Sequence, residues 1–380
     1  MNAERYVVEH KTTALDIGPG SSYWRRLTLD GQVSNYLRGA RGFGFETRSV
    51  LYDVVRKVAL RPYEATPEEQ RAYTQAKSRA CAECKKKKPS SPAPHAVELE
   101  DEDAADGKRT IFCHEGRVIT DPGGRLYASM RDADETLDEY RQRVRADIGE
   151  SPDKYFQRGV IVRLANEETE AMQDVWDIGR QIRESERANR WPRNPDGCDS
   201  FGSLCSYFDA CTGVASIDDS TRYRDADKHE ELAADTDGAV ATDGKVRLPL
   251  LTTSSAKTFR LCQRKYFYAY VLRRRSTFES KALRFGSLFH VGLETWWTTG
   301  DLSSAIVAMR EKYTQFEIDW IDAVKAEELM LGYHTRWIDE PLRVVGVEKE
   351  FRVPIVNPAT GAASKTWELG GKIDALAEVA

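Results

Sequence analysis

A carboxylate and an ammonium group lie two residues apart near the N-terminus, in the β-branched run YVVEHKTT at residues 6–13. Side chains alternate between the two faces of a strand, so Glu9 and Lys11 should project to one side with the backbone carbonyl of His10 between them. A carboxylate, a carbonyl oxygen and a lysine in so small a space form half of a hydrolytic metal site. The run therefore predicts a second carboxylate on a neighbouring strand.

The C-terminal region offers that second carboxylate. Residues 343–356 and 365–379 are predicted to be strands joined by the turn NPATG. Asp374 lies inside the otherwise apolar stretch GGKIDAL, where a charge is costly unless it has a function or a partner. Glu348 or Glu350, on the preceding strand, could add a further acid.

Two predicted helices carry polar side chains at helical spacing. In the apolar run LRFGSLFHVGLETWW, His290 follows Gly286 by one turn, and the missing side chain at Gly286 would let a strand or a ligand approach closely. In a helix capped by Asp30, Gln32 and Tyr36 share one stripe. Each has an ordinary alternative, because a lone histidine on an apolar helix is commonly a core residue, and Tyr36 could pack in the core with Gln32 on the surface.

The cysteines suggest a second metal site. The chain has seven, an odd number, and no export signal follows Met1, so thiols or metal ligands are expected rather than a disulfide framework. Three of them, Cys198, Cys205 and Cys211, lie in a short aromatic segment rich in turns, and Cys262 is the candidate fourth ligand. Buried structural cysteines are the alternative.

A helix predicted over residues 254–273 carries Cys262 and interleaves basic with aromatic side chains. Arg264 and Lys265 on this helix suit contact with phosphates and stacked bases, although the aromatic stripe could equally belong to the core.

Elsewhere, Cys81 and Cys84, followed much later by Cys113, could begin a zinc site, but their loop-like surroundings favour a solvated segment.

Composition limits the class of protein. The 380 residues are 41% hydrophobic and 31% charged, which predicts a globular protein of one or two domains. The net charge of -5 provides no general attraction to nucleic acid, so such binding would need local basic patches. No apolar run approaches the ~20 residues that span a bilayer, so we expect a cytoplasmic protein without membrane contact.

Read one after the other, the C-terminal stretch TWELGGKIDALAEVA and the N-terminal stretch NAERYVVEHKTT resemble one uninterrupted segment of the PD-(D/E)xK nuclease superfamily. The resemblance is to its RecB/Cas4/AddB-like iron-sulfur exonuclease branch, in which a Gly-x-x-x-His helix, a Glu strand, a Gly-x-x-Asp strand, a Glu-x-Lys strand and a Gln-x-x-x-Tyr helix follow one another. The matching positions are Gly286 and His290, Glu348, Gly371 and Asp374, Glu9 and Lys11, and Gln32 and Tyr36. The last two motifs stand at the front, so the order is circularly permuted.

The resemblance implies an α/β (α+β) fold of the restriction-endonuclease type, in which helices flank a central mixed sheet, with a helical extension and a cysteine cluster. The implied divisions are 1–65 for the second half of the nuclease core, 66–130 for a charged, partly disordered insertion, 131–211 for a helical region ending in the cysteines, 212–250 for a linker, and 251–380 for the first half of the core.

The resemblance also implies a function. Asp374, Glu9, the carbonyl of His10 and His290 would bind Mg2+ or Mn2+, Lys11 would assist hydrolysis, and Gln32 and Tyr36 would contact DNA. The expected activity is a single-strand deoxyribonuclease, an exonuclease of recombination, repair or phage DNA processing, that acts on DNA ends with a helicase or recombinase partner. A catalytically inactive or zinc-stabilised nucleic-acid-binding module of the same fold is the alternative.

In the iron-sulfur members of this branch, one cysteine precedes the nuclease core and three follow it. When this sequence is read in the same circularly permuted order, Cys262 precedes the core and the other three cysteines follow it. The resemblance therefore implies a [4Fe-4S] cluster. The first two trailing cysteines, Cys198 and Cys205, are separated by six residues, more than is usual in the family, so zinc stays open as an alternative.

Overall fold

The computed structural model describes residues 4–71, 95–100, 107–114, 117–120, 126–200, 203–230, 232, 247–315 and 318–379. The chain forms two compact units, Met1–Val58 with Asp147–Ala380, and Ala59–Ala146. Cys81 and Cys84 lie outside the described residues, so the zinc site considered for them stays a prediction.

The described part of the chain contains both strands and helices. In order, the strands are β1 (Arg5–Thr13), β2 (Ser49–Arg56), β3 (His95–Glu100), β4 (Lys108–His114), β5 (Arg117–Thr120), β6 (Phe156–Val162), β7 (Asp199–Ser200), β8 (Ser203–Leu204), β9 (Tyr223–Asp225), β10 (Leu250–Thr252), β11 (Arg274–Ser276), β12 (Leu342–Val356) and β13 (Ala363–Val379). The helices are α1 (Ser22–Leu27), α2 (Gly31–Gly42), α3 (Leu137–Glu150), α4 (Pro152–Tyr155), α5 (Ala165–Ala188), α6 (Phe208–Thr212), α7 (Thr253–Leu261), α8 (Gln263–Tyr266), α9 (Lys281–Thr299), α10 (Leu302–Gln315) and α11 (Trp320–Trp337).

The larger unit is built on a six-stranded mixed sheet in the order β10-β13-β1-β2-β6, with β12 also paired to β13. β1 runs parallel to β2 and antiparallel to β13, and β12 is antiparallel to β13. Helices flank this sheet, so the predicted mixed α/β architecture is confirmed, and it is consistent with a restriction-endonuclease-like fold. The predicted pairing of the Glu9 strand with the Asp374 strand is also confirmed.

The two central strands are covered on both faces, which explains their composition. In β1 the five residues from Tyr6 to His10 are buried, and in β2 the burial extends from Val50 to Val55. Continuous β-branched and aromatic runs of this kind are typical of strands with no solvated face. A polar side chain on either strand must therefore find its partner inside the protein.

Helix α2 begins as the sequence predicts, because the side chain of Asp30 accepts a hydrogen bond of 3.0 Å from the backbone N–H of Gln32. The helix buries Val33 and Leu37. At Gly39 it passes so close to β12 that a Cβ would lie 2.5 Å from the ring of Phe351. This close approach holds the Gln32 side of the helix against the sheet.

The single helix predicted over residues 254–273 is wrong. Helix α7 ends before Cys262, whose extended backbone has a φ of -161°, and α8 and a π-helical turn at Phe267–Val271 follow. The stripe of Phe259, Tyr266 and Tyr270 is buried as core. Neither glycine nor proline marks this break in the sequence, so packing around Cys262 must produce it.

Two regions expected to lack regular structure contain strands. In the smaller unit β3, β4 and β5 form an antiparallel sheet within the predicted insertion 66–130. Within the predicted linker 212–250, β9 pairs antiparallel with β11. Short strands rich in charge and flanked by loop-like sequence lack the alternation from which a strand is predicted.

Among the described helices, none combines the length and the apolar composition needed to cross a membrane.

Candidate metal centre

The candidate centre forms where β1 and β13 separate. Their antiparallel pairing extends from Arg5 opposite Glu378 to Val8 opposite Ala375. Beyond that pair, the backbone N–H of His10 donates a hydrogen bond of 2.8 Å to Oδ2 of Asp374 instead of to a strand carbonyl. The separation leaves room between the two strands for side chains, and Asp374 fills part of it.

Three potential ligands meet at this point. One nitrogen of His290 and one carboxylate oxygen each of Glu348 and Asp374 all lie within 4.8 Å of one another. His290 Nε2 is 3.0 Å from Glu348 Oε1 and 3.9 Å from Asp374 Oδ1. Helix α9, strand β12 and strand β13 each contribute one of these side chains. The Gly-x-x-x-His helix and the two acidic strands therefore converge as the sequence predicts.

Strand β12 reaches the centre through an unusual backbone conformation. Glu348 lies between Val347, which pairs with Ala375, and Lys349, which pairs with Ile373, so it stands opposite Asp374. Its φ is 51°, in the left-handed region that residues other than glycine rarely adopt. Such conformations cost about 1–3 kcal/mol and concentrate at functional sites. Glu350 is not part of the group of three ligands.

Glu9 faces the same space from β1 but is not one of the three clustered ligands. Its side chain is 1% exposed. Its Oε1 accepts a hydrogen bond of 2.9 Å from Gln32 Nε2 and contacts the ammonium of Lys11. Its Oε2 is buried without a hydrogen-bond partner. Burial raises the pKa of Glu9 to about 8, although Lys11 opposes the shift. A buried carboxylate oxygen without a partner is suited to a cation.

The predicted stripe on α2 reaches the centre. Gln32 Nε2 bridges Glu9 and the hydroxyl of Tyr36, at 2.9 Å and 2.8 Å. Tyr36 also packs edge-to-face on Phe351, with ring centroids 6.1 Å apart. Gln32 is thus no ordinary surface residue, while Tyr36 serves both the site and the core.

The two glycines of the motifs differ in how strongly packing requires them. A Cβ at Gly371 would lie 2.9 Å from the ring of Phe351, so a side chain there would displace that ring. A Cβ at Gly286 would lie 3.4 Å from Thr12 Oγ1, an ordinary contact. A strand does lie beside Gly286, although the space there would also admit a Cβ, and the approach of a ligand at this glycine stays a prediction.

Lys372 is a charged residue of the candidate centre that the sequence did not predict. Its ammonium pairs with Oε2 of Glu348, on the side of Glu348 away from His290. The signal was available, because Lys372 precedes Asp374 by two residues on the same strand and must share its face. The carboxylates of the centre are therefore compensated by Lys372 as well as by Lys11.

The four predicted cysteine ligands are also brought together. The backbone N–H of Cys205 donates 2.8 Å to the carbonyl of Cys198, and burial together with the thiols of Cys205, Cys211 and Cys262 raises the pKa of Cys198. Asn194 ties the segment to α7 by donating 2.7 Å to the carbonyl of Leu261. All four are free and half-buried.

The spacing of these thiols is wider than a single zinc ion needs. Among the described residues, no three of the four sulfur atoms lie within 4.8 Å of one another. Tetrahedral zinc with Zn–S bonds of about 2.3 Å would hold its thiolates roughly 4 Å apart. A cluster with its own iron and sulfide ions fills a larger space between its ligands.

The two predicted DNA-binding residues on α8 lie beside Cys262. Arg264 donates through Nε to the carbonyl of Trp191 at 2.9 Å, so it also supports the local packing. Lys265 lines a groove of about 1480 Å³.

Residues 250–379 match the family model of the PD-(D/E)XK nuclease superfamily. The matched region contains His290, Glu348 and Asp374 but not β1 or α2. The match supports a nuclease, a hydrolase of phosphodiester bonds whose substrate is a nucleic acid, and nucleases of this superfamily generally use Mg2+ or Mn2+. The searches of curated proteins and of solved structures find no match to the chain.

The raised pKa of Glu9 predicts a pH dependence of stability in the metal-free protein. The pKa is about 8 in the folded protein against an ordinary 4.5, so ionisation of this group favours unfolding. The free energy of unfolding should therefore decrease as the pH rises from about 4.5 to 8. In Glu9→Gln this decrease should be smaller, as urea denaturation in the presence of a chelator would measure.

Glu184→Gln, which alters an exposed acid of α5, provides the control and should keep the wild-type pH dependence. An unchanged pH dependence in Glu9→Gln would show that Glu9 ionises normally in the folded protein.

Proposed function

We propose that this protein is a metal-dependent DNA nuclease, a single-strand exonuclease of recombination, repair or phage DNA processing. The observation that carries the proposal is the convergence of His290, Glu348 and Asp374 beside Glu9 and Lys11. Carboxylate oxygens with one imidazole suit Mg2+ or Mn2+, and the unpartnered Oε2 of Glu9 supplies a further ligand. The His10 carbonyl is the remaining proposed ligand.

The bound ion would lower the pKa of an attacking water and neutralise charge on the phosphate. Burial disfavours the charged form of Lys11, but the carboxylates of Glu9 and Asp374 outweigh it and raise its pKa. Lys11 is therefore an ammonium in the metal-free protein. Its role is to donate a hydrogen bond and to stabilise negative charge on the phosphate in the transition state. The products would carry a 5'-phosphate and a 3'-hydroxyl.

Gln32 and Tyr36 would position the scissile strand beside these groups. Gln32 already holds one oxygen of Glu9, which leaves the other free for the ion. The Tyr36 hydroxyl accepts from Gln32, and burial raises its pKa, so it stays a neutral donor for a phosphate oxygen. Both residues thus link the bound strand to the position of Glu9.

A basic groove supports a nucleic-acid substrate. Ser280, the N-cap of α9, and Leu283, Arg284 and Ser287 within the helix line it at helical spacing. One further step of three residues on that face reaches His290. Its exposed Phe278 could stack on a base. The groove exceeds the ~1,000 Å³ of a large small-molecule pocket, which favours a polymer. Its cationic residues are Arg222, Arg224, Lys265, Arg275, Arg284 and Lys312, against three acids, in a chain of net charge -5.

The order of the motifs is proposed to be a circular permutation of the family's order. The backbone N–H of Val379 donates 2.9 Å to the carbonyl of Glu4, so β13 and β1 are placed as the two strands of a hairpin would be. Hairpin tips tolerate new termini well because little packing is lost there. This arrangement accounts for the Glu-x-Lys strand standing at the front of the sequence.

The four cysteines are proposed to hold a [4Fe-4S] cluster that joins the segment from Cys198 to Cys211 to the end of α7. The effect of the other three thiols on the pKa of Cys198 supports one site that all four share. A zinc ion bound by the same cysteines is the alternative. A helicase or recombinase partner that supplies single-stranded ends is proposed from the resemblance alone.

Lys11→Ala and Glu9→Ala should each lower Mn2+-dependent cleavage of single-stranded DNA by at least about 100-fold, because they remove the transition-state donor or a ligand. Lys365→Ala, on an exposed part of β13, should cleave like the wild type. Cleavage of a fluorescent oligonucleotide measures the rate, and circular dichroism verifies folding. Undiminished cleavage in either variant would contradict the proposal. If the wild-type protein binds the oligonucleotide but does not cleave it, the inactive binding module is favoured instead.

Arg284→Gln and Lys265→Gln should each weaken binding of single-stranded DNA and reduce the slope of log affinity against log salt by about 1. Fluorescence anisotropy in the presence of a chelator measures binding without cleavage. Arg187→Gln, on the exposed face of α5, should keep the wild-type slope. An unchanged slope in both groove variants would exclude the groove as the DNA path.

Anaerobically purified protein should absorb broadly near ~400 nm, as thiolate-bound iron-sulfur clusters do, and Cys262→Ser should lose this absorbance. Cys113→Ser, in the smaller unit, should retain it. Elemental analysis that finds zinc and no iron would replace the cluster by a zinc site.

A further inference from the structure

A row of polar side chains crosses the face of the sheet that lies behind the candidate centre. His10 projects from β1 to the face opposite Glu9. It stands beside Asp53 of β2 in the parallel register, and Asp53 stands beside Arg158 of β6 in the antiparallel register. Three neighbouring strands therefore bring an imidazole, a carboxylate and a guanidinium group into one line.

Three donors converge on a single oxygen of Asp53. Oδ2 accepts hydrogen bonds of 3.1 Å from His10 Nδ1 and 3.2 Å from Arg158 Nη2. It also accepts a hydrogen bond from the hydroxyl of Tyr333. Trp297 Nε1 in turn donates 2.9 Å to that hydroxyl. Asp53 is 1% exposed and Tyr333 is fully buried, so water does not compete for these bonds.

The carboxyl group of Asp53 is ionised despite its burial. Burial opposes ionisation, but the charge of Arg158 and the hydrogen bond from His10 outweigh it and lower the pKa. His10 Nδ1 is therefore the donor to a carboxylate, and charge-assisted bonds of this kind are stronger and more directional than neutral ones. A buried, ionised network is costly to assemble, and Asp53 does not belong to the clustered ligands of the centre.

The link to the centre runs through the backbone of His10. On the β13 side, the strand pairing ends at Val8 opposite Ala375, so the ladder does not hold the next peptides. The N–H of His10 instead holds Asp374 at 2.8 Å, and its carbonyl is a proposed ligand. An imidazole clamped by Asp53 and packed edge-to-face on Trp297, with ring centroids 5.1 Å apart, limits rotation of that residue.

We propose that Asp53 is a positioning residue for the metal centre, which acts through the His10 side chain to orient the peptide that holds Asp374. The inference rests on the proposed metal site. Groups that orient metal ligands from behind typically change metal affinity or activity by about 10–100-fold when they are replaced. The side chains of Asp53 and His10 thus serve affinity for the ion, in addition to the stability of the sheet.

The test is calorimetric titration of Mn2+ into the full chain without nucleic acid. His10→Leu, which removes the donor but leaves the peptide carbonyl, should weaken Mn2+ binding by about 10–100-fold. His10→Asn, whose amide nitrogen can donate near the position of Nδ1, should recover most of the affinity. Asp53→Asn, which keeps the shape of Asp53 but removes its charge, should also weaken binding, and it serves as the second variant if His10→Leu does not fold.

Glu327→Gln provides the control for stability. It disrupts a partly buried ion pair between α10 and α11, in which Arg310 Nε donates a hydrogen bond of 2.9 Å to Oε1 of the buried Glu327. This variant should lower the melting temperature and keep the wild-type Mn2+ affinity. Wild-type affinity in His10→Leu and Asp53→Asn would overturn the positioning role, as would an equal loss in Glu327→Gln. Absence of Mn2+ binding by the wild type would overturn the proposed metal site itself.

Discussion

The hydrogen bond from the His10 backbone to the Asp374 carboxylate is the contact on which the candidate centre depends. It exists because β1 and β13 stop pairing after Val8 and Ala375, which leaves a backbone donor without a strand partner in a buried place. Such a donor must be satisfied, and a carboxylate satisfies it. The bond therefore stabilises the end of the sheet and, in the same step, aims Asp374 at His290 and Glu348.

Charge compensation determines how so many ionisable groups can share this space. Glu9 and Lys11 neutralise each other on one side of Asp374, while Lys372 pairs with Glu348 on the other. Burial still raises the pKa of Glu9 to about 8, so the contact with Lys11 offsets only part of the cost of burying this carboxylate. Behind the sheet, the Asp53 network carries its own compensation and does not draw on the charges of the centre.

The cysteine segment, like the candidate metal centre, contains an irregular point in the backbone that the surrounding packing holds in place. The break at Cys262 interrupts a helix that the sequence would otherwise continue, and it turns one thiol toward three others. Around it, Trp191 stacks on Tyr266 with ring centroids 5.9 Å apart, and Asn194 holds the end of α7. Two irregular points of the backbone, at Glu348 and at Cys262, thus lie at the two proposed metal sites.

Residue type and periodicity alone determined which groups could act: Glu9 with Lys11 on one face of a strand, Gln32 with Tyr36 on one stripe of a helix, and Asp374 as a charge in an apolar strand. Strand and helix periods make such choices local, so they can be predicted. The resemblance had selected Glu348 over Glu350, but only the tertiary structure decided that Glu348 reaches His290 through a left-handed backbone. It also decided that Lys372 pairs with Glu348 and that Asp53 bonds His10. These outcomes depend on strand register and on backbone conformations that cost energy locally and persist because distant parts of the chain pack around them.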